Sequence, residues 1–171
     1  GSEMCIRDRR NTLLLMVGVT VSCAVVGLSL AWLLERSDLP GRRLWGVILC
    51  LPFAVPSFVS GFTWVSLSPK FEGLWGAILV MSLSKYPLVF LPVAATLRNL
   101  DTSLEESART MGCNRWAVFR RVTLPLLWPS ILGGSLLIAL HMLVEFGALS
   151  ILGLQTFTTA IYQQFELEFS N

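Results

Sequence analysis

Apolar positions along the chain fall into four long blocks, at about residues 11–34, 44–67, 74–97 and 125–144. Short polar turns separate the first three, and one longer polar stretch, about 98–124, precedes the fourth. Each block reaches the roughly 20 residues that a helix needs to cross a bilayer. The pattern therefore predicts an all-α, polytopic membrane helix bundle. Small residues recur at four-residue spacing in the first block, Gly18 with Ser22, and Cys23 with Gly27 and Ala31, a spacing that lets helices approach closely. Gly133, Gly134 and Ser135 form a similar patch in the fourth. Pro52 and Pro56, one turn apart, should kink or break the second helix, and Pro87 and Pro92 interrupt the third.

The polar stretch has its own order. Ser103 with Glu106, and one step earlier Thr102 with Glu105, fit a capping box, which predicts a helix starting near Leu104. Leu104, Ala108 and Met111 then share one face, opposite Glu105, Arg109 and Thr110. Gly112 stands where a C-terminal cap is expected, and Asn114 can cap a second short helix carrying Trp116, Phe119, Arg120 and Arg121. Pro125 follows in the first turn of the next apolar block, where a proline is tolerated. The prediction is a small amphipathic elbow on the membrane surface. On these residues alone it reads equally as an ordinary surface-lying loop.

Composition supports the membrane assignment. Hydrophobic residues make up 54% and charged ones 14%, with a mean hydropathy of +0.67, whereas soluble domains carry about a quarter charged residues. A net charge of +2 gives no argument for nucleic acid. Cys5, Cys23, Cys50 and Cys113 are scattered without a CxxC pair and read as free thiols rather than a disulfide framework or metal site. Gly1-Ser2 and the run from Met4 to Arg9 look foreign, so residues 1–10 are read as a non-native leader and 11–171 as a partial transmembrane domain.

Orientation follows from where the cations lie. The 36–43 turn and the elbow are separated by two spans and share a side that holds Arg36, Arg42, Arg43, Arg98, Arg109, Arg115, Arg120 and Arg121, which the positive-inside rule makes cytoplasmic. The turn containing Lys70 is then outside, as is everything after Glu145, where no Lys or Arg occurs. The stretch from 146 to 171 reads as an external amphipathic or partly re-entrant segment. Arg7, Arg9 and Arg10 fall on the wrong side of this scheme, a further reason to read the leader as foreign.

Within the spans, candidate pathway features are Pro52, Pro56, Lys85, Pro87, His141 and Glu145. A lysine at membrane depth needs a partner, water or a helix break. His141 and Glu145, one turn apart, can share a proton or hydrogen bond.

One spacing points further. Glu106-Ser107-Ala108, three residues, Gly112, nine residues and then Val122-Thr123-Leu124-Pro125 resembles the EAA loop of bacterial ABC importer permeases, with Ser107 in place of the first Ala and Val122 in place of Ile. Flanking stretches resemble the ferric-iron branch of that family: Ala31-Trp32-Leu33-Leu34-Glu35-Arg36-Ser37-Asp38-Leu39-Pro40-Gly41-Arg42-Arg43, Leu51-Pro52-Phe53-Ala54-Val55-Pro56-Ser57, Tyr86-Pro87-Leu88-Val89-Phe90-Leu91-Pro92-Val93-Ala94, Glu145-Phe146-Gly147-Ala148 and Thr156-Phe157-Thr158-Thr159-Ala160-Ile161-Tyr162. The resemblance implies the ABC importer (MetI-like) permease fold, here as an incomplete fragment matching the first half of a two-half permease.

It further implies a multi-pass protein of the bacterial inner membrane that moves ferric iron. Its partners would be a cytoplasmic ABC ATPase dimer, a periplasmic substrate-binding protein, a second permease half and membrane lipid. The residues it assigns to ATPase coupling are Glu106, Ser107, Ala108, Arg109, Gly112, Arg115, Leu124 and Pro125. No Gly-rich Lys-Ser/Thr phosphate loop occurs in these 171 residues, so ATP would be used by the partner ATPase, with no cofactor, metal or catalytic residue expected on this chain. Hard Fe(III) prefers oxygen ligands, and only Tyr86, His141 and Glu145 lie in or near the spans, which suits a weak, transient path. Thiamine, sulfate or a polyamine are the alternative cargoes, and a membrane enzyme or assembly protein is the reading from another class.

Overall fold

The computed structural model describes residues 2–68, 71–145 and 147–153. Its helices are α1 (Ser2–Arg36), α2 (Arg42–Ala54), α3 (Ser57–Leu67), α4 (Leu74–Lys85), α5 (Pro87–Asn99), α6 (Thr102–Thr110), α7 (Arg115–Val118), α8 (Leu124–Val144) and α9 (Gly147–Ile151). A π-turn, Phe119–Thr123, joins α7 to α8. Residues 2–10, read from sequence as a leader, continue α1 as one helix.

Three segments are long and apolar enough to cross a membrane: Arg10–Arg36, Leu74–Asn99 and Arg115–Val144. The expected second span is instead the pair α2 and α3, bent by 86°. Val55 and Pro56 at the bend are extended, because a residue before proline avoids the helical region. Pro52 remains inside α2, so Pro56 makes the break. The third span is jointed more gently at Tyr86, whose backbone stays helical while Pro87 opens α5.

The core lies among α1, α4, α5 and α8. In α1, Leu15, Val19, Cys23 and Ala31 are buried while Leu13, Val17, Val21 and Val25 are exposed. Both stripes repeat every four residues, one facing helices and the other facing where lipid would be. Gly27 completes the inner stripe: a Cβ there would lie 3.0 Å from the amide nitrogen of Phe90. In α8 a Cβ at Gly134 would lie 2.6 Å from the carbonyl oxygen of Leu88, so α5 and α8 meet backbone to backbone. α9 packs on α3. The remainder of the expected external segment, and Lys70 in the turn before α4, lie outside the described residues.

Candidate functional site

The elbow is built by local chemistry first. Asp101 caps α6, its carboxylate accepting from the Ser103 amide at 2.9 Å, and that bond holds the carboxyl below the usual Asp range. The capping box expected of Ser103 or Thr102 is therefore replaced by a cap one residue earlier. At the far end Gly112 adopts φ +85°, its amide donates to the Arg109 carbonyl at 2.9 Å, and the Cys113 amide donates to the Ala108 carbonyl at 3.2 Å. This is the Schellman closure, which favours a glycine at its left-handed position. Asn114 then caps α7, its Oδ1 accepting from the Ala117 amide at 2.7 Å.

The π-turn has a cause in Pro125. Proline lacks an amide hydrogen and its ring crowds the carbonyl four residues back. The chain widens by one residue there, so that the Leu124 amide reaches Phe119. Leu124 and Pro125 thereby lie in a continuous helical rod from α7 into α8 rather than at a fresh helix start.

Which face of α6 turns inward differs from the amphipathic reading. Glu105 is 5% exposed beside buried Ala108, whereas Met111 is 77% exposed. Glu105 Oε1 accepts from Arg36 Nη2 at 2.8 Å and from the Thr123 hydroxyl at 3.0 Å, and Thr123 is fully buried. The carboxylate is held inside by a charge and a hydroxyl, and Met111 is left outside. The neighbouring Glu35 is buried too, accepting from Arg98 Nε at 2.7 Å and pairing with Arg42. Two buried acids thus tie the ends of α1, α2 and α5 to the elbow and the π-turn.

Of the residues assigned to coupling, Glu106, Ser107 and Arg109 are exposed on α6, Ala108 is buried, and Gly112, Arg115 and Pro125 are exposed. Arg109 and Arg115 come together on one cleft of about 1030 Å³ between the elbow and the end of α1. Along its wall Trp32 meets Phe119 edge to face, with ring centroids 4.7 Å apart, and Phe119 stacks on Trp116 at 5.6 Å.

The pathway candidates converge elsewhere. Glu145, at the end of α8, accepts from the hydroxyl of Ser57, which follows Pro56 at the α2–α3 bend, at 2.9 Å and faces His141 Nε2 at 3.2 Å. Lys85 is buried at the α4–α5 joint, 5.8 Å from the Phe53 ring and near enough to Glu145 to feel its charge. Two helix discontinuities and one helix end therefore meet around Lys85, Ser57, His141 and Glu145, while Pro52 stays in α2 and Pro87 is buried in α5. No group of three or more His, Cys, Asp or Glu side chains with metal-site geometry occurs among the described residues.

Residues 15–171 match the family model of the binding-protein-dependent transport system inner membrane component. The chain belongs to this family. Among relatives of this inner membrane component, the Fe(3+)-transport system permease protein FbpB 2 of Haemophilus influenzae is 50% identical over 161 residues, 94% of this chain and 32% of the relative. The sulfate transport system permease protein CysT of Escherichia coli is 36% identical over 152 residues, covering 80% of this chain and 55% of the relative. The molybdenum transport system permease protein ModB of Escherichia coli is 34% identical over 140 residues, covering 71% and 60%. The chain thus spans between a third and three fifths of these relatives' lengths.

Reading by motif gave no joining role to four residues that organise this inner membrane component: Glu35, Arg36, Arg98 and Glu105. Their signal in the sequence is weak but present. Five acids, Glu35, Asp38, Asp101, Glu105 and Glu106, stand among the basic residues of one membrane side, and any that are buried need such partners.

Proposed function

We propose that this chain is the membrane-spanning part of an ATP-driven importer for ferric iron, and that its elbow is where a separate cytoplasmic ATPase drives it. The observation that carries the cargo is the half-identity to a ferric-iron permease along almost the whole chain, against about a third for the sulfate and molybdenum relatives. The exposed face of α6, with Glu106, Ser107 and Arg109, is what an ATPase would grip, and Arg115 offers it a further ionic contact. A short helix closed at both ends by side-chain and Schellman caps resists fraying. Force on it would pass through Glu105 to Arg36 and α1, then through Glu35 to Arg98 and α5. Paired ATPases closing together would rock these spans as rigid bodies, moving the path between its inward and outward openings.

Along that path Lys85, His141 and Glu145 line the break between helices, with too few oxygen donors to hold Fe(III) tightly. Selection then falls to a periplasmic binding protein that delivers the cargo. The test is uptake of radiolabelled ferric iron, sulfate and molybdate in cells lacking the full-length parent gene and any redundant importer, with and without complementation. Loss of iron uptake alone, restored by complementation, supports the reading; loss of sulfate or molybdate uptake with normal iron uptake assigns the same machinery to that oxyanion.

A further inference from the structure

We propose that the cleft between the end of α1 and the elbow holds an anionic phospholipid of the adjoining leaflet, with its phosphate between Arg109 and Arg115 and its acyl chains against α1. The cleft is graded as a lipid is. Its α1 wall begins with Leu28 and Leu33, the latter 54% exposed and in line with the lipid-facing stripe of the helix. It passes to Trp32, then to the Trp116–Phe119 stack, and ends in Arg36, Arg109 and Arg115. Aromatic rings at the headgroup level and cations just beyond them are the arrangement that a membrane interface favours.

Charge decides the lipid class. Of the two acids on the wall, Glu105 is occupied by Arg36 and Thr123, leaving Asp38 against the guanidinium groups of Arg109 and Arg115, neither of which makes an ion pair among the described residues. Arg36 uses Nη2 for Glu105, while its Nε is buried with no hydrogen-bond partner, a donor that an anion in the cleft would satisfy. The volume, about 1030 Å³, is more than a lone phosphate needs and suits a headgroup with the first part of its chains. This site is separate from cargo, and it shares Arg109 and Arg115 with the surface proposed for the ATPase, so that lipid and ATPase meet at its rim.

The experiment uses the full-length permease, purified with its ATPase from mixed phosphatidylglycerol and phosphatidylethanolamine membranes, with retained lipid measured by native mass spectrometry. The expected result is selective retention of phosphatidylglycerol, falling roughly fivefold for Arg109→Gln or Arg115→Gln and about 30-fold for the pair. Arg109→Lys with Arg115→Lys, which keeps the charges, should recover most of it, and thermal unfolding of each variant checks that the fold persists. Soluble glycerophosphate, lacking chains, should not displace the lipid. Equal retention in the glutamine pair, displacement by glycerophosphate, or lipid retained only after the ATPase is stripped away would each overturn the proposal, the second pointing to a free-anion site and the third to an ATPase contact.

Discussion

Replacing Glu105 by Ala removes the joint between the elbow and the spans, and its cost follows from what is left behind. The Thr123 hydroxyl, fully buried, loses its acceptor, worth about 1–3 kcal/mol. The Arg36 guanidinium loses a charge-assisted bond of 2.8 Å, worth about 1.5–3 kcal/mol in the same framework. Arg36 is 19% exposed and can turn partly to water, so its share falls at the lower end and the total is about 2–4 kcal/mol. At roughly 2–4 °C per kcal/mol, the melting point should drop by at least about 4 °C. Glu105→Gln keeps the shape and an acceptor for Thr123, and should cost about half as much. The readout is thermal unfolding of the full-length protein with a thiol-reactive dye, for which buried Cys23 reports opening of the bundle. A cycle with Arg36→Met should show a coupling of about 0.5–3 kcal/mol. A melting point of Glu105→Ala within about 2 °C of the parent, or strict additivity in the cycle, would refute the joint.

Other consequences are read more simply. Gly134→Ala should destabilise by about 1–3 kcal/mol because its Cβ meets the α5 backbone, whereas Gly133→Ala, with nothing within 4 Å, should be neutral or slightly stabilising; chemical denaturation of the two variants side by side checks the contrast. The Asp101 cap has a lowered carboxyl pKa, so its support of α6 is present above the ordinary Asp range and is lost as pH falls through the lowered value. Asp101→Asn should keep the cap but lose that pH dependence, and amide exchange at Ser103 measures both. A cysteine at Arg42 should be labelled by a membrane-impermeant reagent only from the cytoplasmic side, and one at Glu72 only from the outer side; the reverse would invert the topology.

How much of this was legible depends on how local each interaction is. Gly112 and Asn114 were readable because a cap engages backbone within four residues. The bend at Pro56 was readable because proline restricts its own neighbour. The position of the α6 cap was misread because Asp101, Thr102 and Ser103 are three competent caps in a row, and only geometry chooses among them. Glu105 was placed on the wrong face because its partner Arg36 is 69 residues away, and Glu35 was passed over because Arg98 is 63 away. Nor does hydropathy separate the two faces of α1. Leu13, Val17, Val21 and Val25 match Leu15 and Val19 in chemistry, and the small residues pointed two ways, Cys23, Gly27 and Ala31 to the buried stripe and Gly18 with Ser22 to a half-buried one beside it. In a membrane the outside is apolar as well, so the contrast that marks a core in water is missing.

The central claim is that the outward face of the elbow is the seat of an ATPase, and cross-linking tests it most directly. A single cysteine at Ser107, in the full-length permease with its native cysteines replaced, should form a cross-link to the ATPase subunit through a short bifunctional reagent in intact membranes. The same cysteine beside Glu106→Lys should lose it while the protein still inserts. Absence of any cross-link from position 107, with the ATPase co-purifying undiminished from the Glu106→Lys variant, would contradict the account and place the drive elsewhere on the molecule.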